Sequence, residues 1–166
     1  MERTEPDLLS DIQKFVDQIP FAKEIGLIVA QAKKGFVSLK LCPQIRLFNH
    51  FKTYQAGALF TLAEVTGGAL CGTFMDLSKN LVLTKRGEIN FKQAANSEVF
   101  SEAFLEEKTI NEVLLNLEVF KKMDLPIEIR LKTLEGQILA YCRLCYYLRY
   151  RIPRSFALSV RQNEVN

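Results

Sequence analysis

The sequence has few of the residues that support metal or redox chemistry. It contains one histidine, His50, and four cysteines among its 166 residues. Two cysteines form a Cys142-x-x-Cys145 spacing, but a zinc site would need two further ligands. The pair also lies in an alternating run that is typical of a strand, where an offset of three residues directs the side chains to opposite faces. We therefore expect free structural thiols and no bound metal.

Signals for export, for nucleic acid and for a membrane span are also weak. The N-terminus, Met1–Leu9, is acidic and lacks the basic and then apolar pattern of a signal peptide, which favours a cytoplasmic protein. The net charge of +3 is too small to indicate nucleic-acid binding. The aromatic and basic stretch Tyr141–Arg154 alternates too regularly to favour single-strand binding.

The most distinctive stretch that is present is Thr53–Met75, whose only charged side chain is Glu64. The stretch is about long enough to span a membrane, but a carboxylate near its centre and the absence of a second such stretch favour a soluble, buried segment. A helix that is apolar on nearly all sides must be covered on most of them. A carboxylate in such a helix needs either a polar partner or a chemical role.

The remaining sequence predicts one antiparallel sheet, the long central helix and a flanking N-terminal helix, which is an α+β domain. We expect one domain over 1–166, with a core at about 20–151 and a tail at 152–166. The N-terminal helix is predicted to begin at a capping box at Thr4 and to end at Pro20. Segment 109–123 is compatible with a helix or a strand, and the helix is favoured. The predicted strands are Ile25–Gln31, Phe36–Leu41, Leu81–Phe91 with a bulge at Gly87, Val99–Leu105, Ile127–Lys132 and Ile138–Leu148.

The segment Asn49–Glu64 resembles the motif of hotdog acyl-CoA thioesterases, particularly the phenylacetate-pathway type. The family pattern is Asn, six residues later His, then Gly-Gly, then an apolar run ending Leu-Ala-Asp. Here Gln55 stands in place of His, Ala56 in place of the first Gly, and Glu64 in place of Asp. The hydroxybenzoyl-CoA branch also has Glu at the acidic position. Uncharacterised hotdog proteins related to thioesterases carry a similarly altered motif.

The resemblance implies a hotdog fold, in which an antiparallel sheet curls around one long helix. It implies that the Ala56 amide, at the helix N-terminus, polarises a thioester carbonyl and stabilises the oxyanion. Glu64 would act as general base on water or as the nucleophile, and Asn49 would contact that carboxylate or the substrate. Thr61, one turn before Glu64, could hydrogen-bond to the carboxylate. The expected substrate-binding residues are Gln55, Gly57, Thr61 and His50.

The resemblance further implies an acyl-CoA substrate and a homodimer or homotetramer, with no cofactor besides the coenzyme A of the substrate. A second reading is a non-catalytic acyl-CoA or fatty-acyl binding module of the same fold. Dehydratase or hydratase chemistry is disfavoured, because it needs a catalytic histidine and His50 lies outside the register of the family His. Glu64 could also be a buried structural carboxylate, in which case no chemistry is implied.

Overall fold

The computed structural model describes residues 5–151. Its α-helices are α1 (Glu5–Asp17), α2 (Pro20–Glu24), α3 (Ala56–Gly72) and α4 (Glu107–Phe120), with a short 3-10 helix at Ile45–Leu47. Its strands are β1 (Leu27–Lys33), β2 (Phe36–Leu41), β3 (Asn80–Phe91), β4 (Val99–Phe104), β5 (Lys122–Lys132) and β6 (Ile138–Tyr150). The predicted N-terminal capping residue, Thr4, lies outside the described residues.

The six strands form one antiparallel sheet in the order β1-β2-β4-β5-β6-β3. The apolar helix α3 packs against β2, β3, β4, β5 and β6. We call the side of the sheet that faces α3 the inner face. This arrangement confirms the expected α+β hotdog fold. No helix within residues 5–151 combines the length and the hydrophobicity that crossing a membrane requires.

Alternation along β5 and β6 separates the two faces of the sheet, as their sequences predict. Leu125, Ile127, Ile129 and Leu131 of β5 are buried on the inner face, while the residues between them are exposed. In β6, Cys142 is buried and Cys145 is only partly covered, so an offset of three places the two thiols on opposite faces. All four cysteines are free, which confirms the prediction for the thiols.

Several element boundaries differ from the sequence prediction for identifiable reasons. Pro20 was expected to end the first helix, but α1 ends at Asp17 and Pro20 opens α2, where its missing N–H leaves no hydrogen bond unmade. β1 begins later than predicted because Gly26 has a φ of 74° and turns the chain after α2. The irregularity in β3 lies between Thr84 and Arg86 and not at Gly87. The ambiguous segment 109–123 is helical as far as Phe120, where α4 ends, and β5 begins at Lys122.

The two edges of the sheet differ in how they are covered. Along β1, the side chain of Gln13 on α1 accepts a hydrogen bond from the Val29 N–H at 2.7 Å and donates one to the Leu27 carbonyl at 3.3 Å. Gln13 thus substitutes for part of a neighbouring strand, which blocks further pairing there. β3, the other edge, is a strand of 12 residues with exposed apolar side chains at Leu83 and Phe91.

The helix α3 lies very close to the sheet at Gly67. A Cβ atom at that position would lie 2.6 Å from two ring carbons of Tyr146 on β6, which is shorter than any real contact of this kind. At the adjacent Gly68, the nearest side-chain atom would be Phe15 Cζ at 4.0 Å. Only the first glycine is therefore required by packing.

We expect Gly67→Ala to destabilise the protein by about 1–3 kcal/mol, because the buried Tyr146 ring must move to admit the methyl group. Gly68→Ala is the matched control, since alanine fits there and stabilises a helix by up to about 1 kcal/mol relative to glycine. Urea unfolding of both variants measures the difference. Equal effects of the two substitutions would contradict the packing of α3 on β6.

Candidate functional site

One stripe of α3 remains accessible, whereas the rest of the helix is buried. It consists of Ala56, Gly57, Phe60, Thr61 and Glu64, which follow helical spacing along one side. Every residue after Glu64 in α3 is buried. The accessible stripe therefore begins at the helix N-terminus and ends at the single carboxylate, which is half-buried and not sealed in the core.

The N-terminus of α3 presents free backbone donors. Gln55 is the N-cap residue, and its side-chain Oε1 accepts a hydrogen bond from the Ala58 N–H at 3.2 Å. The N–H groups of Ala56 and Gly57 have no acceptor among residues 5–151, and both residues are exposed. Such groups, together with the helix dipole, favour a negatively charged or polarised oxygen. Gln55, Ala56 and Gly57 thus lie together where the resemblance implies an oxyanion site.

Glu64 is held by two hydroxyl groups from the sheet. Its Oε1 accepts a hydrogen bond from Thr84 Oγ1 at 2.7 Å, and its main-chain carbonyl accepts one from the Tyr146 hydroxyl at 2.7 Å. Thr84 and Tyr146 face each other across β3 and β6. The carboxylate therefore lies beside the open β3 edge. Sequence reasoning missed both residues, because 20 and 82 positions separate them from Glu64.

Thr61 does not hold the carboxylate as expected. Its hydroxyl donates to the Gly57 carbonyl at 2.9 Å, which is the local bond that a helical threonine makes with the preceding turn. The hydrogen bond to Glu64 comes from Thr84 instead. Thr61 still lies on the accessible stripe, so a role in substrate binding stays a prediction.

Asn49 organises the loop that leads into α3. Its Oδ1 accepts from the Phe51 N–H at 2.8 Å, and its Nδ2 donates to Thr53 Oγ1 at 3.0 Å. These bonds lie within the loop, and the expected contact of Asn49 with a Glu64 carboxylate stays a prediction. His50 is exposed, with its ring centroid 3.9 Å from that of Phe51. Substrate contacts of Asn49 and His50 stay predictions.

Other polar features lie away from the accessible stripe. A shallow depression of about 340 Å³ lies on the outer face of the sheet, where Glu88, Arg130, Tyr141 and Arg143 are among its lining residues. These side chains alternate with the inner-face residues of β3, β5 and β6, so the depression and Glu64 lie on opposite sides of the sheet. No cluster of three His, Cys, Asp or Glu side chains suited to a metal occurs within residues 5–151.

A family model with the description "Domain of unknown function (DUF4442)" matches residues 11–148. The chain belongs to this family. The match extends from α1 into β6 and so includes α3, Thr84 and Tyr146. No curated protein sequence matches the chain.

Solved structures of similar architecture are described as thioesterases. A Pseudomonas aeruginosa protein described as of unknown function and a probable thioesterase is 28% identical, with a TM-score of 0.76 over 86% of this chain and 95% of that chain. A thioesterase from Haemophilus influenzae is 13% identical, with a TM-score of 0.66 over 92% of this chain and 95% of that one. A mutant thioesterase from Pseudomonas aeruginosa is 16% identical, with a TM-score of 0.67 over 86% and 94%. The protein thus has a thioesterase-like hotdog fold.

The buried thiols should not react in the native protein. Burial raises the pKa of Cys71 and of Cys142 to about 12, so almost no thiolate forms at neutral pH. We expect a thiol-reactive dye at pH 8 to label only the partly covered Cys42 and Cys145 until denaturant is added, as mapped by peptide mass spectrometry. Rapid native labelling of Cys142 would instead indicate that β6 opens or that the thiol is reactive.

Proposed function

We propose that the protein hydrolyses acyl-CoA thioesters, with Glu64 as the group that activates water or attacks the carbonyl. The observation that carries the proposal is the accessible stripe, which joins free helix N-terminal amides to the only carboxylate of α3. The description of the 28% identical relative as a probable thioesterase supports the same chemistry.

In the proposed reaction, the backbone N–H of Ala56 of one protomer donates to the thioester carbonyl oxygen beside Glu64 of the other protomer, and it stabilises the negative charge that develops there. As general base, Glu64 takes a proton from water while the water oxygen bonds to the carbonyl carbon. The carbon–sulfur bond then breaks, and the coenzyme A thiolate receives the proton from Glu64. Alternatively, the carboxylate itself attacks the carbonyl carbon, and the carbon–sulfur bond breaks so that the coenzyme A thiolate leaves as a mixed anhydride forms. Water then hydrolyses the anhydride to the free acid and the Glu64 carboxylate, and the proton that it releases neutralises the thiolate.

The proposal includes a second protomer. Ala56 and Glu64 are eight residues apart on one helix, a separation of about 12 Å along its axis. A carbonyl oxygen must lie about 3 Å from its amide donor, and the attacking group must reach the adjacent carbon. A second α3 that runs antiparallel to the first would bring its own N-terminal amides beside Glu64, and a twofold axis would create two equal sites. The open β3 edge next to Glu64 supports such an arrangement.

Pairing through β3 can be tested by placing lysines on that edge. We expect wild type to sediment as a dimer or a dimer of dimers, and the Leu83→Lys/Phe91→Lys variant to dissociate, because lysines at a sheet edge oppose strand pairing. Ile28→Lys, at an exposed apolar position of β1, is the matched control and should keep the wild-type mass. A wild type that stays monomeric at high concentration in analytical ultracentrifugation would contradict the paired site.

Glu64→Gln tests the catalytic role most directly. Glutamine keeps an oxygen that can accept the hydrogen bond of Thr84, so we expect a folded protein whose kcat falls at least about 100-fold, in line with loss of a general base. A panel of acyl-CoAs assayed with a thiol-reactive dye measures the loss. Glu88→Gln, on the outer face of β3, is the control for the change in charge.

The alternative function is an acyl-CoA or fatty-acyl binding module of the same fold. It is favoured if wild type binds acyl-CoA but hydrolyses none of the panel. If Glu64→Gln does not fold, the carboxylate is structural and the catalytic assignment loses its support.

A further inference from the structure

Two hydroxyl groups converge on Glu64 from neighbouring strands, and neither belongs to the motif segment 49–64. Thr84 Oγ1 donates to the carboxylate and the Tyr146 hydroxyl donates to the main-chain carbonyl, each at 2.7 Å. Because Thr84 and Tyr146 are direct cross-strand partners, their relative position is set by the β3–β6 ladder. Glu64 is thereby fixed both at its backbone and at its side-chain oxygen.

The Tyr146 hydroxyl is suited to a permanent donor role. The side chain is 1% exposed, and its ring occupies the space that the missing Cβ of Gly67 leaves. Burial, with the nearby Glu64 carboxylate as a second cause, raises the pKa of Tyr146 far above its ordinary value. The phenol therefore stays protonated. Its hydrogen bond to the Glu64 carbonyl fixes the distance between the sheet and the turn of α3 that carries Glu64.

Thr84 lies beside a register shift in β3. The strand is irregular between Thr84 and Arg86, which is the local change that re-aims side chains beside functional sites. Lys85 leaves the register there and forms an ion pair with Asp124 of β5 at 2.6 Å. The irregularity therefore begins directly after Thr84, whose hydroxyl reaches Glu64 on α3. A threonine hydroxyl does not ionise near neutral pH, so its role toward the carboxylate is orientation.

We propose that Thr84 and Tyr146 are positioning residues, which orient the Glu64 carboxylate and fix the helix turn that carries it. The inference rests on the proposed hydrolysis, since orientation matters to a reaction at Glu64. It goes beyond that function by assigning roles to residues on β3 and β6.

Two substitutions at Thr84 separate positioning from packing. Thr84→Val keeps the shape of the side chain and removes the donor, and Thr84→Ser keeps the donor and removes the methyl group. A hydrogen bond to a charged group is typically strong enough that its loss changes a rate by about 10- to 100-fold. We expect Thr84→Val to lower kcat by that factor with KM within about twofold of wild type, and Thr84→Ser to retain most of the activity. A larger loss in Thr84→Ser than in Thr84→Val would overturn the assignment.

Tyr146→Phe removes the second donor while it keeps the ring over Gly67. We expect kcat to fall about three- to tenfold, and Tyr147→Phe, at the next residue on the opposite face of β6, to be the unaffected control. The double variant with Thr84→Val should lose less than the product of the two single losses, because both act through Glu64. Independent, multiplying effects would overturn the shared role.

A spectroscopic measurement keeps the inference testable without turnover. In protein labelled with ¹³C-glutamate, the infrared carboxylate band of Glu64 is obtained as the difference from Glu64→Gln. We expect this band to shift in Thr84→Val and to stay near its wild-type position in Thr84→Ser. If wild type is inactive and the band still shifts in Thr84→Val, the proposed hydrolysis is wrong but the orientation of Glu64 by Thr84 is supported. An unshifted band in Thr84→Val overturns the assignment, whatever the activity.

Discussion

Close contact between α3 and the inner face of the sheet determines where the groups of the candidate site lie. Gly67 lets the Tyr146 ring pass against the helix backbone, and the hydroxyl of that ring then reaches the Glu64 carbonyl. With a side chain at 67, the helix would stand farther from β6 and the carboxylate farther from Thr84. The absence of a Cβ atom at Gly67 therefore allows the hydrogen bond between Tyr146 and Glu64, which carries the only charge on α3.

The same contact explains why a carboxylate is tolerated in an otherwise apolar helix. A buried charge without a partner is costly, but Glu64 is half-buried and accepts a hydrogen bond from Thr84. It also lies at the last accessible position of the stripe, before the turns of α3 that are completely covered. Partial burial at this position strengthens electrostatic interactions, and the remaining exposure leaves the carboxylate accessible to a substrate.

The two sheet edges place this position in a wider context. Gln13 closes the β1 edge by bonding to its backbone, whereas β3 offers 12 residues to a partner. Glu64 lies beside the edge that is left open. An exposed edge can pair with another strand whereas a covered edge cannot, so the proposed pairing through β3 would cover the side of the molecule on which the accessible stripe lies.

Sequence patterns predicted most helices and strands of this fold, because those patterns reflect which face each residue turns to the core. The alternation of β5 and β6 and the uniform apolarity of α3 follow from which face each residue turns to the core. The motif segment likewise placed Ala56, Gly57 and Glu64 on one helix, with Gln55 at its N-cap. Thr84 and Tyr146 could not be found in this way, since their contact with Glu64 depends on strand register and on the irregularity after Thr84. The hydrogen bond predicted from Thr61 to Glu64 is not formed, because helical spacing shows nearness to Glu64 but not the competing carbonyl of Gly57.

The departures from the thioesterase motif that segment 49–64 resembles leave one residue for the proposed chemistry. Gln55 replaces a histidine, and its side-chain oxygen is used to cap the Ala58 N–H, so it can orient a substrate but cannot carry a proton. Ala56 keeps the main-chain donor that glycine would supply. Thr61 and Thr84 have hydroxyls that do not titrate near neutral pH. Along the accessible stripe and its two sheet contacts, Glu64 carries the only carboxylate, so the orientation of that carboxylate is the property on which the proposed turnover would depend.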